Sequence, residues 1–150
     1  MEIERKYLIS TLPTDLQQYP TRKIEQGYLC TSPVIRIRQD NDLFELTYKS
    51  KGLMIREEHN LPLTKEAYLH LRQKVDGNII TKTRYMIPYE QYTIELDIFE
   101  GTLAPLQLAE VEFPSEEAAL AFIPPEWFGE DVTFSSKYHN STLSISSNHF

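Results

Sequence analysis

Acidic and basic residues recur two positions apart on one segment after another. Glu2, Glu4 and Lys6 come first, followed by Arg36 and Arg38, Lys49 (with Glu45 and Thr47 in phase), and Arg56 with Glu58. Further on lie Lys82 and Arg84, Glu95 and Asp97, and Glu110 and Glu112. Apolar residues stand between them, among them Ile3, Ile37, Leu46, Tyr48, Ile94, Leu96, Ile98, Val111 and Phe113. A β-strand sends successive side chains to opposite faces, so each segment offers one charged and one apolar face. Carboxylates gathered in this way attract hard cations such as Mg²⁺ or Mn²⁺. Lysines and arginines gathered in the same way attract an anion.

A single strand of this kind is ordinary, with its charges in water and its apolar residues in the core. The set is not, because nearly every strand takes part and each carries mostly one sign. Charged faces turned inward would line a hydrated tunnel, and about eight strands enclose room for one small ligand. A dry tunnel is excluded, since each uncompensated buried ion costs several kcal/mol. Glu2, Glu4, Glu110 and Glu112 are the first metal candidates, with Glu95 and Asp97 second. His59, His70, His139 and His149 show no ligand spacing and read as surface or structural residues.

The elements that must position these groups are mostly strands, expected near 2–9, 22–30, 34–40, 43–50, 55–62, 79–89, 92–99 and 107–113. Asp40-Asn41-Asp42 is turn chemistry for a hairpin, and Glu90-Gln91 marks another tight connection. Thr64 caps a helix over 65–75 closed by Gly77, and Ser115 starts a second that runs to about 122 before Pro124-Pro125. The pattern predicts an α+β, mainly antiparallel fold: a closed eight-stranded β-barrel with a few peripheral helices, in one domain over 1–150. The polar tail from 130 onward has no assignable pattern.

Bulk properties narrow the partners. No apolar run approaches the roughly 20 residues of a membrane span, and the charged N-terminus lacks a signal-peptide core. Cys30 stands alone, which excludes an internal disulfide and a cysteine zinc site, and a cytoplasmic protein is expected. The net charge of -7 argues against nucleic acid or an anionic membrane as partner. An anionic substrate then requires locally concentrated bases or intervening metal. The oligomeric state is left open, a homodimer included.

The residues also carry a resemblance. Glu2-Ile3-Glu4-Arg5-Lys6 resembles the ExExK signature of the CYTH, or triphosphate tunnel metalloenzyme, superfamily. The likeness continues in order through Gln26-Gly27-Tyr28-Leu29, Arg36/Arg38, Lys49, Arg56 with Glu58, and Lys82-Thr83-Arg84-Tyr85. It then runs through Glu95-Leu96-Asp97, Glu110-Val111-Glu112, Trp127-Phe128-Gly129, Asp131-Val132-Thr133 and Lys137-Tyr138-His139-Asn140. The short bacterial members, many of them inorganic triphosphatases, are the most similar. The resemblance implies a barrel, divalent metal (Mg²⁺ or Mn²⁺) and a triphosphate-containing small molecule such as tripolyphosphate or ATP. It implies metal on Glu2, Glu4, Glu110 and Glu112, and phosphate on Lys6, Arg36, Arg38, Lys49, Lys82 and Arg84, with Arg56 and Lys137 added as substrate contacts. Two positions depart from the family pattern: Asn60 stands where a Glu is common, and Lys137 where an Arg is common.

The expected reaction is metal-dependent attack of water on a terminal phosphorus, with Glu4 or a late-strand glutamate as base and Lys6 on the substrate. Tyr28 is more readily a packing residue than a lid, Trp127 an anchor for the C-terminal segment, and Lys137-Tyr138 a closure for one tunnel end. Rival readings are a class IV adenylyl cyclase or thiamine triphosphatase on the same fold, a non-catalytic polyphosphate- or nucleotide-binding module, and a structural domain with exposed charged strands.

Overall fold

The computed structural model describes residues 1–145, so the reading made for His149 lies outside the described residues. Its strands are β1 (Glu2–Ile9), β2 (Thr21–Thr31), β3 (Val34–Asp40), β4 (Leu43–Lys49) and β5 (Ile55–Arg56). They continue with β6 (Glu58–Pro62), β7 (Asp76–Tyr89), β8 (Tyr92–Phe99), β9 (Gln107–Glu112) and β10 (Phe128–Asp131). The helices are α1 (Lys65–Arg72), α2 (Glu116–Ala121) and α3 (Asn140–Leu143). Alternating β-branched and charged residues make the strands, and hairpin turns join them, with Asn41 and Glu90 at φ 53 and 55. Thr64 and Ser115 cap α1 and α2 by accepting the N–H of Ala67 and of Ala118.

The sheet is antiparallel throughout, in the order β10-β1-β9-β8-β7-β2-β3-β4-β6, with β5 paired to β1. The circuit closes at Glu57. Before it, β5 sets Arg56 opposite Glu2 of β1; after it, β6 sets Glu58 opposite Lys49 of β4. The stretch expected as one strand over 55–62 is therefore bent into two halves, one for each neighbour. β10 was not expected. It takes the remaining edge of β1, with Asp131 opposite Tyr7.

Two apolar bodies flank the wall. Outside it, Tyr7, Ile94, Leu96, Val111 and Phe113 pack with Ala119 and Phe122 from the α2 region and with Phe128 of β10. Trp127 lies against this cluster, and its carbonyl accepts the N–H groups of Ser10 and Thr11, which ties the chain end to the barrel. Inside, Leu8, Tyr28, Val34, Ile80, Phe99, Leu108 and Leu143 fill one end of the barrel. Register explains this: Leu8 faces Leu108 on the neighbouring strand, two positions beyond the Lys6–Glu110 pair.

The C-terminal segment caps that filled end. Val132 and Thr133 hydrogen-bond the backbone of Lys6, and α3 delivers Leu143 to the inner cluster. Helix α1 stops at Arg72, short of Val75, and Gly77 belongs to β7 instead. Gly77 sits at φ +68, and a Cβ there would lie 2.6 Å from the Ser144 carbonyl oxygen, so glycine lets β7 pass close beneath α3. No helix is long and apolar enough to cross a membrane among the described residues.

Candidate active site

The charged faces point inward. Beyond the apolar plug, the barrel holds a cavity of about 570 Å³ that runs toward the hairpin Asp40–Leu43. Lys6, Arg22, Arg36, Arg38, Lys49, Arg56 and Arg84 line it, seven of the 15 lysines and arginines in a chain of net charge -7. That concentration meets the requirement set by the charge balance, and it is inconsistent with a domain that merely exposes charged strands. Glu2, Glu4, Glu58, Glu95, Glu110 and Glu112 line the same space.

The ions interlock. Glu2 receives Lys49 Nζ at 3.0 and 3.1 Å, with an Arg56 nitrogen at 3.6 Å. Lys49 also approaches Glu58 at 3.4 Å. Lys6 lies 3.5 Å from Glu110 and donates to the Tyr138 carbonyl at 3.0 Å, so the C-terminal segment fixes its ammonium. Arg36 donates to Thr47 at 3.0 Å, and Thr47 donates to Asn60 at 2.6 Å. The Nε of Arg36 is buried without a hydrogen-bond partner among the described residues, a donor left for a ligand.

The carboxyls differ in their demand for cations. Glu110 is held well below the carboxylate range: burial opposes ionisation, but Lys6 and Arg84 outweigh it. Glu58 is drawn down to about 2, burial being outweighed by a hydrogen bond from Glu2 and by Lys49 and Asn60. Burial raises Glu2 despite Lys49. Glu4 is pushed up to about 8 by burial and by the neighbouring Glu110 and Glu2, and its nearest cation is Arg56 at 4.0 Å.

Glu4 bears on whether a metal fits. As the side chains stand, no three Asp, Glu, His or Cys groups converge to hold an ion among the described residues, because Glu2 and Glu110 turn to Lys and Arg. The donor chemistry nonetheless suits a hard divalent cation: all carboxylate oxygen, with Glu4 short of positive charge. The residues fit the metal, provided the carboxylates turn from their present partners.

Several expected site residues lie elsewhere. Lys82 and Asp97 do not line the cavity; both have 0% side-chain exposure and meet at 2.7 Å beneath its floor. They share a strand face with Arg84 and Glu95 but sit one step nearer the apolar plug, where Lys82 approaches the Phe99 ring at 5.2 Å. Asp97 instead grips Arg84 through both oxygens, at 2.7 and 2.9 Å. Lys137 borders a separate small pocket with Leu8, Pro105 and Tyr138. Tyr28 is a buried wall residue at the plug and no lid. The sequence reading passed over Arg22 and took His139 for a surface or structural residue, whereas both line the cavity. The ring of His139 is driven to about 4 by burial and by Lys6 and Arg56, so a neutral imidazole lines the cavity. No ligand spacing marks a lone histidine in a polar tail.

A ten-stranded antiparallel sheet closed around inward-facing acids and bases is the fold of the triphosphate tunnel proteins, and residues 1–146 match the CYTH domain, so the chain belongs to that family. An inorganic triphosphatase of Nitrosomonas europaea is 44% identical over 151 residues, spanning 97% of each chain. The inorganic triphosphatase of Acetivibrio thermocellus is 34% identical over 149 residues, covering 95% of this chain and 92% of its own length. The crystal structure of an inorganic triphosphatase superposes with a TM-score of 0.74 at 38% identity, over 99% of this chain and 97% of the other.

Proposed function

We propose that the protein is a cytoplasmic hydrolase that converts inorganic triphosphate and water to diphosphate and orthophosphate, with Mg²⁺ or Mn²⁺ as cofactor. The observation that carries this reading is seven bases and a ring of glutamates lining one cavity of about 570 Å³. Two relatives that match nearly end to end are inorganic triphosphatases, which supports the same reaction here.

The bases neutralise the phosphate chain, and Arg36, whose buried Nε has no hydrogen-bond partner among the described residues, is one of those that line the cavity. Lys6, fixed by the Tyr138 carbonyl, presents its ammonium without a search through rotamers. Glu4 or a late-strand glutamate takes the proton from the attacking water. Glu2, Glu4, Glu110 and Glu112 would hold the metal, which supplies charge to the phosphate oxygens and acidifies the water.

The test is phosphate release from tripolyphosphate, ATP and thiamine triphosphate, with and without Mg²⁺ or Mn²⁺. Metal-dependent release, fastest from tripolyphosphate, is expected. Cyclic AMP formed from ATP, or tight binding without turnover, would overturn the assignment. Lys6→Ala removes a charge-assisted bond worth about 1.5–3 kcal/mol. It is expected to lower kcat/KM about ten- to hundredfold by the same measure, and wild-type turnover would remove Lys6 from the site.

A further inference from the structure

Arg38 and Arg84 are gripped in the same manner, one by a neutral group and the other by an anion. Asp97 takes the Nε and NH2 of Arg84 on its two oxygens, at 2.7 and 2.9 Å, and Glu95 takes NH1 at 3.2 Å. Gln26 takes the Nε and NH2 of Arg38 on one amide oxygen, at 2.8 and 2.6 Å. Gln26 is fully buried on β2, directly across the ladder from Arg38 on β3. A carboxamide supplies the acceptor of a carboxylate without the charge.

The consequence shows in the charge map. Lys6, Arg22, Arg36, Lys49, Arg56 and Arg84 each have a carboxylate oxygen within 4.0 Å. Arg38 has none among the described residues. A compensated base must release its carboxylate before it can give full charge to an incoming anion. Arg38 has nothing to release.

We propose that Gln26 is a positioning residue that fixes the Arg38 guanidinium while leaving its charge uncompensated, which makes Arg38 the anchor for the anionic substrate. The inference rests on the cavity being a triphosphate site. It names the residue that keeps one base free in a barrel crowded with acids.

Gln26→Glu tests this directly, since glutamate keeps both hydrogen bonds and adds the missing counter-charge. KM for tripolyphosphate is expected to rise about ten- to hundredfold, the scale of one charge-assisted bond, with kcat changed far less. Calorimetric binding of tripolyphosphate without metal should weaken in parallel. Gln26→Met, similar in shape but without an acceptor, should lose less than Gln26→Glu. A purely structural hold predicts the reverse order, and that order, or wild-type behaviour in both variants, overturns the proposal. Arg38→Met and Arg36→Met give a check that does not require a new buried carboxylate: metal-free binding must fall further for Arg38→Met. An equal or smaller loss also overturns it. A wild-type protein that neither binds nor hydrolyses tripolyphosphate would sink the triphosphate reading itself, a different result from normal turnover with indifferent Gln26 variants.

Discussion

Glu4→Gln is expected to cut tripolyphosphate hydrolysis by about 10²–10⁴-fold, the range for a positioned acid–base group, while making the metal-free protein more heat-stable at alkaline pH. The two effects have one cause. Burial and the charges of Glu110 and Glu2 push the Glu4 carboxyl up to about 8, from an ordinary 4.5. Between those values the folded protein keeps a proton that the unfolded chain has released. Raising the pH through that window therefore favours unfolding, and above about 8 the whole cost is present. Each unit of such a shift is worth about 1.4 kcal/mol, so the penalty is on the order of a few kcal/mol. Glutamine carries no charge and escapes it.

A divalent cation should relieve the same strain in the wild type. Thermal melts with Mg²⁺ are expected to show a larger rise in Tm at about pH 9 than at about pH 6, with most of that difference gone in Glu4→Gln. Equal metal stabilisation of both proteins at both pH values would count against Glu4 as a metal group. Retained turnover in the variant would count against it as a base.

Asp97→Ala is expected to destabilise the fold by about 3–5 kcal/mol, because it leaves the buried Lys82 without a counter-charge and Arg84 with only Glu95 and the more distant Glu110. Asp97 joins Lys82 and Arg84 at 2.7 Å each, and neither Asp97 nor Lys82 exposes its side chain. Urea unfolding at neutral pH measures the loss, and a value under about 1 kcal/mol would mean that the cations find other partners. Burial works against ionisation of Asp97, yet Arg84 and Lys82 hold it below the usual carboxylate range. Its contribution is thus present above the unfolded value and fades only as the pH drops through the lowered folded one. The gap between variant and wild type should still be wide at the ordinary aspartate value and close only in stronger acid.

The contrast between Asp97 and Glu4 shows what could be read from the chain beforehand. Period-two alternation told which side chains share a face, so the staves of the barrel and the inward charge were legible. Alternation says nothing about depth along the axis. Lys82 and Arg84 are indistinguishable by face, yet one is sealed against Phe99 and the other meets the cavity. Depth is set by register between strands distant in sequence, such as Lys82 opposite Phe99, and no local pattern encodes it. The polar tail was opaque for a related reason. Ser136–Tyr138 and α3 are held by scattered contacts, among them Lys6 on the Tyr138 carbonyl, Asn78 on the Ser144 carbonyl and Leu143 in the plug, rather than by a periodic face. Helix α1 was overrun because Val75 continues its apolar spacing, although it belongs to the turn into β7 and packs against Gly27.

The apolar plug makes the barrel a cul-de-sac. A chain of phosphates cannot be threaded through it and released behind; it must back in, end first, from the side of the 40–43 hairpin. With the plug filling the far end, a diphosphate lingering on the hairpin side bars the next guest. Long polyphosphates could be nibbled only from a terminus, and anything bulky on the inner phosphate would press against the wall of Leu8 and Leu108 that lies just behind Lys6 and Glu110.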